Sequence, residues 1–304
     1  MRIVVTGASG LIGSALVPSL LSKGHRVIRL VRRKPTTTRP DGSTEVFWNP
    51  MLGQLDDGFL EECDAVIHLA GENIADGRWD EEKKRRVRDS RVKSTRFLAE
   101  TLAQLNHKPR AFICASATGY YGDRDDEILT EESAPGTGFL ADVCREWEAA
   151  ADQARHAGIR TVHMRIGMVL SGRGGALQKI LLPFKFGLGG KVGNGRQWMS
   201  WIALDDVVRA FIHVLEHEDL SGAVNAVAPK PVTNQEFTEI LGRVLHRPTF
   251  MPVPAFALRL AFGEMAEELV LSSARVVPQK LLASGFEFLY PDLESALRHE
   301  LALK

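Results

Sequence analysis

The sequence predicts an α/β protein built on a doubly wound parallel sheet, with a smaller C-terminal lobe. Apolar, β-branched runs alternate with longer stretches of helical periodicity, which is the pattern of βαβ units. A glycine-rich turn follows the first apolar run, and glycine and proline become concentrated after residue 170. At 304 residues the chain is long enough for one large unit and an appended lobe.

Strands and helices are expected to alternate in order along the first part of the chain. The predicted strands span residues 2–6, 26–31, 45–48, 65–69, 111–115 and 161–166. The predicted helices span residues 11–22, 81–104, 139–157, 204–215 and 234–245. Helices between successive parallel strands cover both faces of such a sheet.

Composition and charge exclude several classes of protein. The 38 basic and 38 acidic residues give a formal net charge of zero, so no nucleic-acid partner is expected. We interpret the basic cluster at residues 83–86 as a solvated helix face rather than a binding patch. Three cysteines without a CxxC spacing predict buried thiols in a reducing compartment and no metal site. No apolar run approaches about eighteen residues, so we expect a cytoplasmic protein without a membrane partner. The sequence gives no indication of the oligomeric state.

The first turn, TGASGLIG at residues 6–13, lies between a predicted strand and a predicted amphipathic helix. In this context Gly7 permits the tight turn, Gly10 lets a pyrophosphate approach backbone N–H groups, and Gly13 lets helix and strand pack closely. The helix N-terminus adds partial positive charge. The turn therefore predicts dinucleotide binding. The residues expected at the cofactor are Thr6, Gly7, Ser9, Gly10, Leu11, Ile12 and Gly13.

Two arginines follow the second strand, where a dinucleotide fold usually places an acid on the adenosine ribose. Arg32 and Arg33 would attract a 2′-phosphate that an acid would repel, which favours NADP(H) over NAD(H). The alternative is an ordinary exposed basic loop. The carboxyl ends of other strands should also face the cofactor crevice, whereas we expect His68 to be a packed strand residue rather than a catalyst. The further residues expected there are Leu69, Ala70, Gly71, Glu72, Ala115 and Arg165.

Glycine-rich loops at residues 171–175 and 187–195 mark a change of character, because such loops commonly lie over a pocket. We assign residues 1–170 to the dinucleotide-binding domain, with 196–227 returning to it. Residues 171–195 and 228–304 form the smaller substrate lobe. Polar pocket candidates are Glu72, Asn73, Arg165, Arg196, Gln197 and Trp198. An apolar wall, or alternatively a core between the lobes, is expected from Trp198, Trp201, Phe184 and Phe186.

Several segments together resemble a known family, the extended short-chain dehydrogenases/reductases of the UDP-glucose 4-epimerase type. The segments that carry this likeness are TGASGLIG at 6–13, DAVIHLAG at 64–71, SATGYYG at 116–122 and WIALDDV at 201–207. The chain is most similar to an atypical branch, the epimerase family with a DUF1731 C-terminal domain. That likeness is carried by GENI at 71–74, WE at 147–148, LPFKFGLGG at 182–190, RVVPQKLL at 275–282 and GF at 285–286.

The resemblance implies a catalytic serine, a tyrosine that exchanges a proton, and a lysine four residues after the tyrosine. The lysine lowers the tyrosine pKa from its usual value near 10. Ser116 matches the serine. The helix that should carry the Tyr-Lys pair instead places Phe139 and Val143, or in another register Leu140 and Cys144, at the two positions. The pair is therefore missing.

The resemblance also directs attention to an arginine and two phenols. Arg91 stands where extended members usually have an asparagine, and it either places a positive charge near the nicotinamide or substrate or is a surface charge. Because the only other tyrosine is Tyr290, Tyr120 and Tyr121 are the phenols near the expected site. Each is a candidate proton donor, and the alternative for each is packing against cofactor or loop.

Two functional hypotheses follow. The first is an NADP(H)-dependent oxidoreductase or epimerase-like enzyme with a non-standard proton relay and a small polar or nucleotide-linked substrate. The second is a catalytically inactive protein that binds NADP(H) and reports its occupancy to a partner; a pure scaffold is a third, simpler idea. The intact cofactor turn and Ser116 favour the first hypothesis, and the missing pair motivates the second.

Overall fold

The structure is a computed structural model that describes residues 1–36 and 39–303. The strands are β1 (Arg2–Thr6), β2 (Arg26–Val31), β3 (Thr44–Asn49), β4 (Gln54–Leu55), β5 (Ala65–His68), β6 (Ala111–Ala117), β7 (Ile128–Leu129), β8 (Arg160–Ile166), β9 (Met168–Leu170), β10 (Trp198–Met199), β11 (Trp201–Ala203), β12 (Gly222–Ala226), β13 (Val232–Thr233) and β14 (Arg275–Val276). The α-helices are α1 (Leu11–Ser22), α2 (Glu81–Gln104), α3 (Phe139–Ala149), α4 (Asp152–His156), α5 (Ala176–Lys185), α6 (Leu204–Glu216), α7 (Asn234–Leu245), α8 (Ala255–Phe262), α9 (Glu264–Ala266), α10 (Gln279–Ala283) and α11 (Leu293–Glu300). Short 3-10 turns cover Asp57–Phe59 and Thr118–Tyr121, and a π-helical turn covers Glu267–Leu271.

An eight-stranded sheet forms the centre of the described chain, in the order β12-β8-β6-β5-β1-β2-β3-β4. Every neighbouring pair in it is parallel except β3 and β4. The chain proceeds outward in one direction from β1 through β2 and β3, and in the other from β5 through β6, β8 and β12. Ligands of such sheets bind beyond the carboxyl ends of the strands where the order reverses, here between β1 and β5. The predicted doubly wound parallel sheet is confirmed.

Successive side chains of β1 point to opposite faces of the sheet and join the apolar core on each face. Ile3 and Val5 lie in one apolar cluster with the buried face of α1, whereas Val4 lies in a second cluster that includes Leu98 of α2. All four side chains are fully buried. Because successive side chains of a strand point to opposite faces, this one strand fixes helices on both sides.

Most of the predicted strands and helices are present, and the structure differs from the prediction at three places in particular. The helix expected over 139–157 is divided into α3 and α4, with Ala151 at φ −88° and ψ −2° between them. The sheet's edge strand β12 lies in a stretch for which no strand was predicted. Helix α5 was also missed, since it lies between glycine-rich segments and contains Pro183.

The C-terminal residues return to the large unit at helix α3. Both carboxylate oxygens of Glu268 accept hydrogen bonds from its first turn, at 3.0 Å from Phe139 N and 3.1 Å from Leu140 N. Gly138 precedes the helix with φ 107°, and a Cβ there would lie 2.4 Å from Glu268 Oε1. Glycine is thus required both by the backbone and by the approaching carboxylate. The start of α3 is stabilised by a side chain from the end of the chain.

Membrane-spanning segments were searched for along residues 1–36 and 39–303. No helix there combines the length and apolar character that crossing a bilayer requires. All three cysteines are buried free thiols, as predicted.

Candidate active site

The glycine turn between β1 and α1 forms an open anion cradle. Helix α1 begins after Gly10, which gives no side-chain cap to the first backbone N–H groups. Gly7 has φ 66°, and a Cβ there would lie 2.7 Å from the carbonyl carbon of Leu69. A Cβ at Gly13 would lie 2.3 Å from the Gly7 carbonyl oxygen. Both glycines are required by the close packing of turn, strand and helix, and the uncapped N–H groups suit a pyrophosphate. The geometry fits the dinucleotide predicted for this turn.

Arg32 and Arg33 both lie exposed at the carboxyl end of β2. Arg32 makes no hydrogen bond or ion pair with any residue in the described ranges 1–36 and 39–303, whereas the NH2 group of Arg33 donates to Glu45 Oε1 at 2.6 Å. Glu45 also accepts from Arg39 NH1 at 2.8 Å and from Thr36 N at 2.9 Å. The N–H of Thr36 and the two guanidinium groups lower the pKa of Glu45 to about 2. Arg33 is therefore paired with a carboxylate while Arg32 is not, and contact of either arginine with a 2′-phosphate stays a prediction.

A chain of hydrogen bonds ties the end of β1 to the end of β5. The hydroxyl of Thr6 accepts from the N–H groups of Leu69 and Ala70, each at 3.1 Å. Its own hydrogen is therefore directed at His68 Nδ1, 2.7 Å away, and we assign the ring proton of His68 to Nε2, 3.3 Å from Ser94 Oγ. His68 is fully buried, as predicted, and it positions Thr6 at the cofactor turn.

Burial lowers the pKa of His68 to about 3, which makes the stability of the protein depend on pH. The unfolded pKa is near 6.5, so the unfolded chain binds a proton that the folded chain refuses, and stability is lost as the pH falls below 6.5. We expect His68 to reduce the free energy of unfolding by about 2 kcal/mol between pH 7 and pH 5. Urea unfolding at both pH values should show this difference in the wild type and a smaller one in His68→Gln. An equal pH dependence in the two proteins would contradict it.

The loop after β5 is fixed from below by helix α2. Lys83 Nζ donates to Glu72 Oε1 at 3.0 Å and to the carbonyl of Asn73 at 2.7 Å, and Arg86 Nε lies 3.4 Å from the same Glu72 oxygen. Lys83 is buried, so the interpretation of residues 83–86 as a solvated face is wrong at this residue. Lys83 lies in the first turn of α2, and its ammonium group binds the Asn73 carbonyl and the Glu72 carboxylate of the loop. Glu72 is thereby engaged by protein groups.

Arg91, further along α2, reaches the same loop from the side. Its NH2 group donates to the carbonyl of Glu72 at 2.9 Å, and its guanidinium lies 5.2 Å from the centre of the Trp147 ring. A Cβ at Gly71 would lie 3.3 Å from Arg91 Cζ. Arg91 is therefore half-buried against the crevice loop, and the alternative of a surface charge is wrong.

A buried chain of polar groups begins at the carboxyl end of β6. Ser116 Oγ donates to Glu148 Oε1 at 2.7 Å, and Arg165 forks onto Glu148 with Nε–Oε1 and NH2–Oε2 distances of 2.8 and 2.9 Å. Burial opposes the charge of Arg165, but the hydrogen bonds and charge of Glu148 outweigh it and raise the pKa of Arg165. Glu148 therefore has a permanently charged partner and a serine hydroxyl directed at it.

The two phenols have different surroundings. Tyr121 is fully buried, its hydroxyl accepts from Arg165 NH1 at 3.0 Å, and Asn225 Oδ1 lies 2.7 Å away as an acceptor. Burial raises the pKa of Tyr121 to about 12. The ring of Tyr120 is half-buried and covers the guanidinium of Arg165, with 3.4 Å between ring centre and Cζ. The hydroxyl of Tyr120 has no hydrogen-bond partner within residues 1–36 and 39–303. Of these two tyrosines, Tyr121 has a committed hydroxyl and Tyr120 does not.

Two regions of the chain match known protein-family models. Residues 3–227, which include the cradle and the Ser116 chain, match the model of the NAD dependent epimerase/dehydratase family. The chain belongs to this family. Residues 253–300 match a second model, described as a domain of unknown function (DUF1731), so the resemblance predicted from the sequence is confirmed.

Relatives in this epimerase family align along nearly the whole chain. An epimerase family protein of Mycobacterium leprae is 42% identical over 297 residues, which cover 98% of this chain and 94% of the relative. The crystal structure of human epimerase family protein SDR39U1 with NADPH is 33% identical, with a TM-score of 0.88 and 99% of both chains covered. A nucleoside-diphosphate sugar epimerase from Corynebacterium glutamicum has 39% identity and a TM-score of 0.81, covering 99% of this chain and 58% of that one.

In this epimerase family chain, two residues of α3 face the end of β6, the strand that carries Ser116. A Cβ at Gly119 would lie 3.3 Å from Leu140 Cβ and 3.9 Å from Cys144 Sγ. Leu140 and Cys144, both buried, therefore occupy the register next to the end of β6. Burial raises the pKa of Cys144 to about 12, so its thiol is not ionised near neutral pH.

The remaining candidates from the sequence are distributed between the site and the core. Ala115 is buried in β6 beside Ser116, and the contacts of Arg165 are with protein groups, so their roles at the cofactor stay predictions. Trp201 and Phe184 are buried in one shared apolar cluster, whereas Phe186 is 74% exposed and forms neither wall nor core. The other polar candidates form no hydrogen bond with the Ser116 chain among the described residues. Arg196 is exposed. Gln197 donates to the carbonyls of Val192 and Val270, and Trp198 Nε1 donates to Asp126.

Sequence reasoning missed the role of Glu148. This residue follows Cys144 by four positions and Leu140 by eight, so it continues the buried face of α3. A carboxylate on an otherwise apolar helix face is a signal for a buried partner, and that partner is Arg165.

Proposed function

We propose that this family member is an NADP(H)-dependent oxidoreductase or epimerase-like enzyme that uses a serine and a glutamate where related enzymes use a tyrosine and a lysine. The observation that carries the proposal is the Ser116–Glu148–Arg165 chain at the carboxyl end of β6. It lies at the same edge of the sheet as the uncapped N-terminus of α1. A substrate in the crevice would have the dinucleotide on one side and Ser116 on the other.

The cofactor is assigned from charge and from a relative. Arg32 and Arg33 offer guanidinium groups at the end of β2, where a 2′-phosphate would lie. Human SDR39U1, of the same family, was crystallised with NADPH. Backbone N–H groups of residues 11–13 would hold the pyrophosphate. When bound, the nicotinamide supplies or accepts a hydride at the substrate carbon.

The protein residues handle the proton. Ser116 donates its hydrogen to Glu148, so its oxygen is left as an acceptor for a substrate hydroxyl. As an alcohol is oxidised, its proton passes to Ser116 Oγ while the serine proton passes to the Glu148 carboxylate. Arg165 keeps Glu148 oriented and compensates its charge before the transfer. In the reverse direction Ser116 Oγ gives its proton to the substrate oxygen and takes back the proton held by Glu148.

The phenol assignment follows from burial. Tyr121 is committed to Arg165 and Asn225, so we assign it to support of the chain rather than to proton transfer. Tyr120 has the uncommitted hydroxyl and is the phenol that would assist Ser116. A small polar or nucleotide-linked substrate is supported by the polar groups joined to Ser116 and by the relative named as a nucleoside-diphosphate sugar epimerase.

The experiment has a binding stage and a turnover stage. Calorimetric titration should show NADPH binding more tightly than NADH, and Arg32→Ala with Arg33→Ala should remove most of that preference. With nucleotide sugars and small polar alcohols and ketones as substrates, the absorbance of the reduced nicotinamide reports turnover. Ser116→Ala should lower turnover by about 10²–10⁴-fold while NADPH affinity stays unchanged.

Four outcomes would change the proposal. Turnover that survives in Ser116→Ala would remove the serine from the mechanism, and turnover that survives in Tyr120→Phe would remove that phenol. NADPH binding without turnover of any substrate would favour the binding protein over the enzyme. Absence of NADPH and NADH binding at millimolar concentration would exclude both.

A further inference from the structure

Arg91 is a cation whose charge the protein leaves without a counter-ion. Its guanidinium donates to two carbonyl oxygens, those of Val87 at 3.1 Å and Glu72 at 2.9 Å, and lies over the ring of Trp147. In the described ranges, residues 1–36 and 39–303, no carboxylate oxygen forms an ion pair with it within 4.0 Å. Neutral carbonyls and a ring face orient a guanidinium but do not neutralise it.

The two nearest candidates for a counter-ion are engaged or uncharged. The carboxylate of Glu72 turns the other way, toward Lys83 and Arg86. The Cys144 thiol on α3 is neutral near pH 7, since burial raises its pKa to about 12. A partly desolvated cation without an anion costs free energy, which an anionic ligand would offset.

Arg91 is half-buried, and backbone covers part of its guanidinium. Gly71 is the residue of the β5 loop that lies against it, and a Cβ there would come within 3.3 Å of Arg91 Cζ. Gly71 is itself exposed and has no side chain, so at this point only one residue of backbone separates the guanidinium from solvent. Leu69, two residues earlier, meets the cofactor turn at Gly7, so Gly71 lies close to the dinucleotide site.

We propose that Arg91 binds an anionic group of the substrate, a carboxylate or a phosphate, which enters past Gly71. The assignment rests on the proposed function, because the crevice receives its substrate beside the bound dinucleotide. It narrows the substrate from a polar molecule to one that carries a negative charge near the reacting carbon. Recognition would be bidentate, since a guanidinium presents a planar pair of donors to either group.

The test uses acetate and inorganic phosphate as probes of the NADPH-saturated protein, with chloride at equal ionic strength as reference. Bound NADPH occupies the other anion sites, and the melting temperature as a function of anion concentration gives an apparent Kd. We expect at least one probe to stabilise the wild type, and Arg91→Met to bind that probe about 10–100-fold more weakly. The probe with the lower Kd identifies the chemistry. Arg96→Met removes an exposed arginine from the same helix and should behave as the wild type.

The outcomes separate this assignment from the proposed function. NADPH titration of each variant comes first, so a loss of the anion response with intact NADPH affinity concerns Arg91 alone. An anion response that is equal in the wild type and Arg91→Met, or absent from both, would overturn the assignment and leave NADPH binding in place. Arg91→Gln, which can still donate to the Glu72 carbonyl, gives the same comparison if the methionine variant does not fold.

Discussion

Replacing Glu148 by alanine is expected to lower the free energy of unfolding by about 3–5 kcal/mol. The reason is the guanidinium of Arg165, which is 4% exposed and would lose both of its bonds to the carboxylate. A buried charge without its partner retains the full cost of its desolvation. Urea unfolding of the wild type and the variant measures the difference.

The double variant Glu148→Met with Arg165→Met separates the cost of an unpaired charge from the value of the pair. Because it removes both charges and fills the space with apolar atoms, it should cost much less than the two single variants added together. The exposed pair between Arg85 and Glu82 serves as a control, and Glu82→Ala should lower the free energy of unfolding far less than Glu148→Ala does. A Glu148→Ala cost as small as that control would show that the buried pair does not stabilise the fold.

Replacing Gly13 by alanine should weaken NADPH binding by about 100-fold or more. The new Cβ would stand 2.3 Å from the Gly7 carbonyl oxygen and 2.7 Å from Ala8 Cα, so helix α1 must move away from the end of β1. That movement misaligns the backbone N–H groups that face the pyrophosphate, and hydrogen bonds to a charged group contribute about 1.5–3 kcal/mol each. Calorimetric titration with NADPH measures the loss.

Gly158→Ala provides the control for a general loss of stability. Gly158 has φ 85° and open space around it, and it lies before β8 at the opposite edge of the sheet. Alanine there strains the backbone by about 1–2 kcal/mol without touching the cofactor turn. NADPH affinity should stay at the wild-type value in Gly158→Ala, and an equal loss in both variants would mean that the effect of Gly13→Ala is not local.

The parts of the fold that depend on local pattern could be predicted from the sequence. Strand β1, helix α1 and helix α2 have the predicted bounds, because each has a clear hydrophobic period and a distinct end signal. The glycine turn was predicted for the same reason, since its meaning depends on its immediate neighbours. Strand β12 was missed because GAVNA is short and takes its identity from the pairing with β8.

The polar chain of the site could be predicted only in part. Ser116 was identified from its place after a strand, but its partner Glu148 is 32 positions away and Arg165 a further 17. The buried face of α3 brings these groups together, and a pattern along the chain does not show which polar residues meet across it. The burial of Lys83 was not predicted for a related reason. Its neighbours in sequence are exposed charges, and its hydrogen-bond partners belong to the loop after β5.

The carboxylate of Glu268 makes the C-terminal segment a component of the site, although no substrate needs to touch it. Glu268 lies 129 positions along the chain from Phe139, yet it determines where α3 begins. Glu148 lies further along the same helix. A screen for lost activity would therefore recover substitutions of Glu268 together with those of Ser116 and Glu148. At this contact we expect a substitution in one matched region, 3–227, to be tolerated only together with a substitution in the other, 253–300.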